Sequence, residues 1–214
     1  MKRAFVMIVL LWIGIMVGRN LYQSKYSLSY DSDQIPSDKI DTSIRLLQLT
    51  DLHNSEFGEN IQELIDQITG QAPDLILVTG DLLNSDEPVT KIAENLISSL
   101  HKIAPVYLSL GNHEIEYQDN FKRDITQLYQ SAGAIVLNHQ YQDITINGQP
   151  LRIGGIYGYC LSDKYLETGE ADPGECMFLW DFENTNRYKI LLSHLPIAWL
   201  KNDGVDEWDI DCVF

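Results

Sequence analysis

Cysteine is scarce: the 214 residues hold three, Cys160, Cys176 and Cys212, odd in number and widely spaced. That pattern fits neither a disulfide framework nor a paired zinc motif, and it leaves the redox compartment open. Basic residues are scarce as well. Fifteen Lys and Arg stand against 31 Asp and Glu, a formal charge of -16, so the field has the wrong sign for binding a nucleic-acid backbone by counterion release. No nucleic-acid partner is expected. There is no internal repeat and no low-complexity tract. Histidine numbers only five, at 53, 101, 113, 139 and 194.

Apolar residues are not scarce. A hydrophobic content of 44% in 214 residues is enough for one sizeable core and too little for two comfortable domains. The longest apolar run is at the N-terminus, where basic Met1-Lys2-Arg3 leads into Ala4 to Gly18, which includes Trp12 and closes at Arg19. A membrane-targeting segment has this form. Its length lies between a signal peptide and a comfortable span. No small-x-small cleavage site follows directly, Ser27-Leu28-Ser29 being too far downstream, so residues 1–22 are expected to form an uncleaved anchor. A short basic tail usually stays inside, which would put the rest of the chain on the extracytoplasmic side. Residues 23–43, rich in Ser, Tyr and Asp without a helical or strand period, read as a polar tether.

From Ile44 the pattern alternates strand and helix. Ile44 to Leu49, Leu75 to Thr79 and Val106 to Leu110 predict strands, with helices between them carrying Ile61, Leu64, Ile65 and Ile68, then Ile92, Leu96 and Leu100 after Pro88. Phe121, Ile125, Leu128 and Tyr129 predict a third amphipathic helix, followed by a short strand over Ile135 to Leu137. Tyr141 to Ile146 and Leu151 to Ile156 flank Asn147-Gly148, the strongest hairpin signal in the chain, where parallel crossovers give way to antiparallel pairing. Strands over Tyr188 to Leu192 and Asp209 to Val213 complete an α/β domain spanning 44–214.

Four polar clusters follow four of these strands: Asp51-Leu-His53, Gly80-Asp81, Gly111-Asn112-His113-Glu114 and Ser193-His194. In open α/β sheets ligands bind beyond the carboxyl ends of strands. Mixed carboxylates and imidazoles suit a pair of divalent ions such as Mn, Fe or Zn. Singly each motif is ordinary; in this order, each at a strand end, they point to one site.

The order D-x-H, G-D, G-N-H-acid, lone H resembles the calcineurin-like metallophosphoesterase superfamily over Ile44 to Phe214. Its membrane-anchored or exported bacterial branch is the nearer likeness, through the apolar N-terminus, Thr50-Asp-Leu-His53 and Leu191-Leu-Ser-His-Leu-Pro196. The resemblance implies a metallophosphoesterase-like β-sandwich flanked by helices. It further implies a phosphoester hydrolase using hydroxide activated by two divalent metals. Asp51 and His53 would bind the first ion, Asp81 would bridge both, and Asn112 and His194 would bind the second. His113 would act on the leaving group, with Glu114 supporting the ligands or simply opening a helix. The expected substrate is a small-molecule or lipid phosphoester.

Two departures from the pattern stand out. Asn84 occupies the place where the superfamily's protein phosphatases carry an Asp paired with the catalytic His. The closing G-H-x-H is absent, although Asp209 to Val213 is the strand that should present it; His101 and His139 do not sit where they could replace it. A reading frame cut short explains this more simply than a redesigned site, and a noncatalytic remnant is the alternative. Tyr159, Tyr165, Phe178 and Trp180, between Tyr157 and Tyr188, are available to shape substrate access.

Overall fold

The computed structural model describes residues 2–26, 28, 30–57, 61–157, 173–195 and 207–214. Tyr159, Tyr165, Cys160 and Pro196 lie outside the described residues. The expected sandwich is present as two four-stranded sheets. In the first, β1 (Leu46–Leu49), β2 (Leu75–Val78), β3 (Val106–Leu108) and β4 (Ile135–Val136) run parallel in chain order. Parallel neighbours need crossovers. These are α2 (Gln62–Gln71), α3 (Lys91–Leu100) and the pair α4 (Asn112–Phe121) and α5 (Ile125–Ala132). In the second sheet β5 (Gln140–Ile146) pairs antiparallel with β6 (Gln149–Ile156), which continues in parallel to β7 (Tyr188–Ser193) and β8 (Cys212–Val213). Asn147 and Gly148 hold φ of 50° and 81°, the two positive values a type I′ hairpin requires.

Alternation along β2 explains its unbroken apolar run. Ile76 and Val78 face a core shared with Leu64, Ile68, Leu96, Ile97 and Tyr129 of the crossover helices, while Leu75 and Leu77 face the second sheet's Leu151, Ile153, Ile190 and Leu192. A strand buried on both faces has no polar side to show. On the far side of the second sheet α6 (Pro173–Glu183) packs Leu179 and Phe182 against Ile156 and Leu191. The layers are therefore helix, sheet, sheet, helix.

The structure differs from the expected elements in three places. The single helix expected across Phe121 to Tyr129 is two, because Lys122 ends α4 at φ 53° and Asp124 caps α5 by accepting from the Gln127 N–H at 2.9 Å. Helix α6 was not foreseen. Helix α1 (Lys2–Tyr26) outruns the expected anchor and takes in residues assigned to the tether. Its described side chains, Met7 and those at 9–20, are all exposed, and among the described residues no helix is long and apolar enough to cross a membrane. The end of the tether is docked: Lys39 Nζ meets Asp211 Oδ1 at 2.9 Å, the Asp41 N–H donates to Gln149 Oε1 at 2.9 Å, and Ile40 and Ile44 join the core between the sheets.

Candidate metal centre

Beyond the strands, the β1 loop stays stitched to the β2 loop. The N–H groups of Asp51, His53 and Asn54 donate to the carbonyls of Gly80, Asp81 and Leu82 at 3.1, 3.0 and 3.0 Å. The stitching twists the chain. Asp51, His53 and Asp81 hold φ of 54°, 47° and 55°, left-handed backbone that costs on the order of 1–3 kcal/mol for each non-glycine residue. Gly80, at φ 91°, lies so close to the third loop that a Cβ there would stand 2.5 Å from Gly111 N. A Cβ on Gly111 would overlap the Asp81 carboxylate. Both glycines are needed for close approach, and the second and third loops meet through them.

Glu114 locks that meeting. It is fully buried, and its Oε2 accepts from the N–H groups of Asp81 (2.7 Å) and Gly111 (2.8 Å), while Oε1 accepts from the Leu82 N–H (2.8 Å) and the Tyr129 hydroxyl (3.0 Å). Burial, then the Glu114 charge, holds the Tyr129 hydroxyl well above its ordinary pKa, so it remains a donor. Glu114 thus opens α4 and also supports the loops that carry Asp81 and Asn112.

Asp81, itself buried, divides its two oxygens between tasks. Oδ1 accepts the His113 backbone N–H at 2.9 Å. Oδ2 lies 3.3 Å from His194 Nε2, 3.8 Å from His53 Nε2 and 4.0 Å from His113 Nε2, with Asp51 Oδ1 a further 3.8 Å from His53 Nε2. Thr50 Oγ1 donates to the other Asp51 oxygen at 2.6 Å. On the opposite side, His194 Nε2 is 3.1 Å from Asn112 Oδ1, and His194 Nδ1 is 2.8 Å from the Thr79 carbonyl. A carbonyl only accepts, so Nδ1 carries hydrogen and Nε2 faces the carboxylate.

Donors that share one ion at roughly 2.0–2.2 Å stand about 3–4 Å apart. On one side His53 Nε2 stands 3.8 Å from both Asp51 Oδ1 and Asp81 Oδ2; on the other His194 Nε2 stands 3.3 Å from Asp81 Oδ2 and 3.1 Å from Asn112 Oδ1. Asp81 Oδ2 belongs to both sets. Donor atoms of Asp51, Asp81 and His194, and separately of His53, Asp81 and His113, lie within 4.8 Å of one another. The Asp81 hydrogen bond outweighs burial and raises the His194 pKa to about 9. For Asp81, burial pushes upward, but the hydrogen bonds from His194 and the His113 N–H bring the carboxyl below its ordinary range.

The family profile described as calcineurin-like phosphoesterase matches residues 44–214. The chain belongs to that family. It is 26% identical over 167 residues to the uncharacterized metallophosphoesterase YkoQ of Bacillus subtilis, covering 77% of this chain and 56% of the relative. It is 30% identical over 182 residues to the uncharacterized metallophosphoesterase Cj0846 of Campylobacter jejuni, covering 81% and 43%. The chain spans about half the length of these relatives. Among solved structures, TT1561 of Thermus thermophilus is similar with a TM-score of 0.45 and 14% identity, over 70% of this chain and 67% of that one.

In this member of the family the structure brings the candidate residues read from the sequence close together: Asp51, His53, Asp81, Asn112, His113, Glu114 and His194. The candidate ligand set draws on the ends of β1, β2 and β3 in one sheet and β7 in the other. His101 instead packs against Gly133, and His139 sits on the Asn138 side chain and the Phe178 ring. At the position of the absent acid, the residue beside Asn84 takes over contact with His113: the Ser85 N–H donates to His113 Nδ1 at 3.1 Å. Sequence reasoning missed Ser85, Tyr129 and the Thr79 carbonyl. Backbone groups leave no side-chain signal, and Tyr129 reads as an ordinary buried helix residue.

Proposed function

We propose that this chain hydrolyses phosphoesters at a two-metal site, with Asp51, His53 and Asp81 holding one divalent ion and Asp81, Asn112 and His194 the other. The observation that carries this reading is Asp81 Oδ2, a single oxygen 3.8 Å from His53 Nε2 and 3.3 Å from His194 Nε2 while its twin is occupied by a backbone N–H. When bound, a pair of such ions supplies an activated water at neutral pH and Lewis-acid stabilisation of phosphoryl charge. The chain's own residues do the rest. The left-handed loops aim the carboxylates and imidazoles inward, Glu114 keeps those loops from relaxing, and His113 Nε2 lies beside the shared oxygen where it can reach the substrate's departing oxygen. The acidic surface favours small-molecule or lipid phosphoesters over nucleic acid.

We propose further that α1 attaches the chain to a membrane with the catalytic domain on the extracytoplasmic side. The exposed Leu10, Leu11, Trp12, Ile13 and Ile15 support this. Flotation of the full chain with lipid vesicles, lost when Leu10, Leu11 and Ile13 become Ser, is the expected outcome; co-flotation of the Ser variant would refute it. For the chemistry, metal content and Mn-dependent hydrolysis of an aryl phosphodiester and an aryl phosphate are compared between wild type and Asp81→Asn. Loss of both metal and turnover in the variant is expected. Equal rates would end the two-metal reading.

A further inference from the structure

The ring of His113 is held from behind by a peptide N–H. The Ser85 N–H lies 3.1 Å from His113 Nδ1, and since such a group only donates, Nδ1 accepts and the hydrogen of the neutral ring sits on Nε2. Ser85 is itself secured twice. Its Oγ donates to Glu116 Oε2 at 2.8 Å and its carbonyl accepts from Asn120 Nδ2 at 2.9 Å. His113, Glu116 and Asn120 fall at i, i+3 and i+7 on α4, so one helix face carries both the ring and the groups that place the ring's partner. From the opposite side, Asn54 Nδ2 reaches Glu87 Oε2 at 3.3 Å and ties the loop to the β1 end.

His194 is held the opposite way. The Thr79 carbonyl claims a hydrogen on Nδ1, which leaves Nε2 as the atom turned toward Asn112 and Asp81. The two imidazoles are therefore anchored oppositely in one site: His194 turns Nε2 to the candidate ligands once its proton there is displaced, and neutral His113 turns Nε2 outward as a donor. His113 Nε2 points past Asp81 Oδ2 at 4.0 Å, with its ring edge-on to His53 at 4.5 Å between centroids.

Resting on the reading of the site as a phosphoester hydrolase, we infer that Ser85, Glu116 and Asn120 fix His113 as a hydrogen-bond donor through Nε2, neither ligand nor base. The substrates are accordingly phosphoesters or phosphoanhydrides whose leaving group is a stable oxyanion, an aryl oxide or a phosphate. In the step, the oxygen of water forms its bond to phosphorus as the bond from phosphorus to the leaving oxygen breaks. The electron pair goes with the leaving oxygen, and the proton of the attacking water passes to solvent. His113 donates a hydrogen bond to that oxygen and keeps its proton. An alkyl leaving group, which needs a full proton in the transition state, goes unassisted. Ser85, Glu116 and Asn120 are positioning residues, acting through His113.

Two-bond proton–nitrogen correlation spectra of the full metal-free chain, taken with the His113 ring in its neutral form, test the tautomer without turnover. With His113 identified from the His113→Asn variant, Nδ1 should appear unprotonated and Nε2 protonated. Glu116→Gln should preserve the pattern, and Glu116→Ala with Asn120→Ala should give a mixture. A protonated Nδ1 in the wild type, or an unaltered spectrum in the double variant, overturns the inference. With Mn present, rates across a series of aryl phosphodiesters should fall steeply as the leaving-group pKa rises, because no proton is transferred to the departing oxygen, and His113→Asn, which keeps a donor, should outperform His113→Ala. A flat leaving-group dependence removes the substrate class. Failure to hydrolyse any ester with the expected spectrum intact instead removes the hydrolase reading.

Discussion

Each residue of the site is made by its neighbours rather than by its own type. Asp81 shows this most directly, because one oxygen is fixed by a backbone N–H and the other left to face three imidazoles. His194 gives a pH prediction. With its pKa raised from 6.5 to about 9 in the folded chain, it contributes stability that is complete below pH 6.5 and lost as pH rises through 9. An ion arriving at Nε2 must displace that proton. Calorimetry of Mn uptake at a pH between those values, in two buffers of different ionisation enthalpy, should show proton release; identical heats would count against it. Glu114 gives a second. Replacing it with Ala strands three N–H groups and the Tyr129 hydroxyl at about 1–3 kcal/mol for each unsatisfied donor, so a large loss of stability is expected in urea titration. Tyr129→Phe, which removes one donor of the four, should lower stability by only about 1 kcal/mol and leave the metal stoichiometry unchanged. The candidate ligands were legible in the sequence because chemistry selects their types. Ser85 was not, because what it offers is a peptide N–H.

At the scale of elements, the legible features were those written in periodicity or turn chemistry. The β2 run, the α3 stripe and the Asn147-Gly148 hairpin fall where the pattern puts them. The boundary between α4 and α5 does not, since Lys122 ends a helix in a conformation that no side chain announces. Helix α6 was hidden for another reason. Its C-terminal carbonyls are capped by two cations from distant strands: Arg152 Nη1 donates to the carbonyls of Asp181 and Phe182 at 2.9 and 3.2 Å, and Lys189 Nζ to that of Glu183 at 3.4 Å. Arg152 and Lys189 are register partners on β6 and β7, and Asp143 on β5 completes the row with two hydrogen bonds to Arg152. Arg152→Met should therefore loosen α6 and β5 together. A loss of about 2 kcal/mol is expected in urea titration, below the value for a fully buried pair because Asp143 is partly exposed. Arg152 also holds the Asp143 carboxyl below its ordinary pKa, so this stability is present above the ordinary carboxylate pKa and fades as pH falls through the lowered one.

For the whole molecule, the two sheets meet at the site. Ions that bind only the folded chain should stabilise all of it: at one hundred times the dissociation constant Mn adds about 2.7 kcal/mol, a rise in Tm of roughly 5–10 °C at this size. Asp81→Asn should abolish the shift in a thermal melt, and an unchanged shift would place the ions elsewhere. The His194 ring, at the end of β7, bonds to the Thr79 carbonyl and the Asn112 amide at the ends of strands in the facing sheet. Sheet alignment is thereby converted into ligand geometry. A change in the hydrophobic layer between Leu77 and Leu192 would shift His194, the one candidate ligand carried by the second sheet, against the four carried by the first. On the two-metal reading proposed above, metal affinity is thus open to tuning through packing.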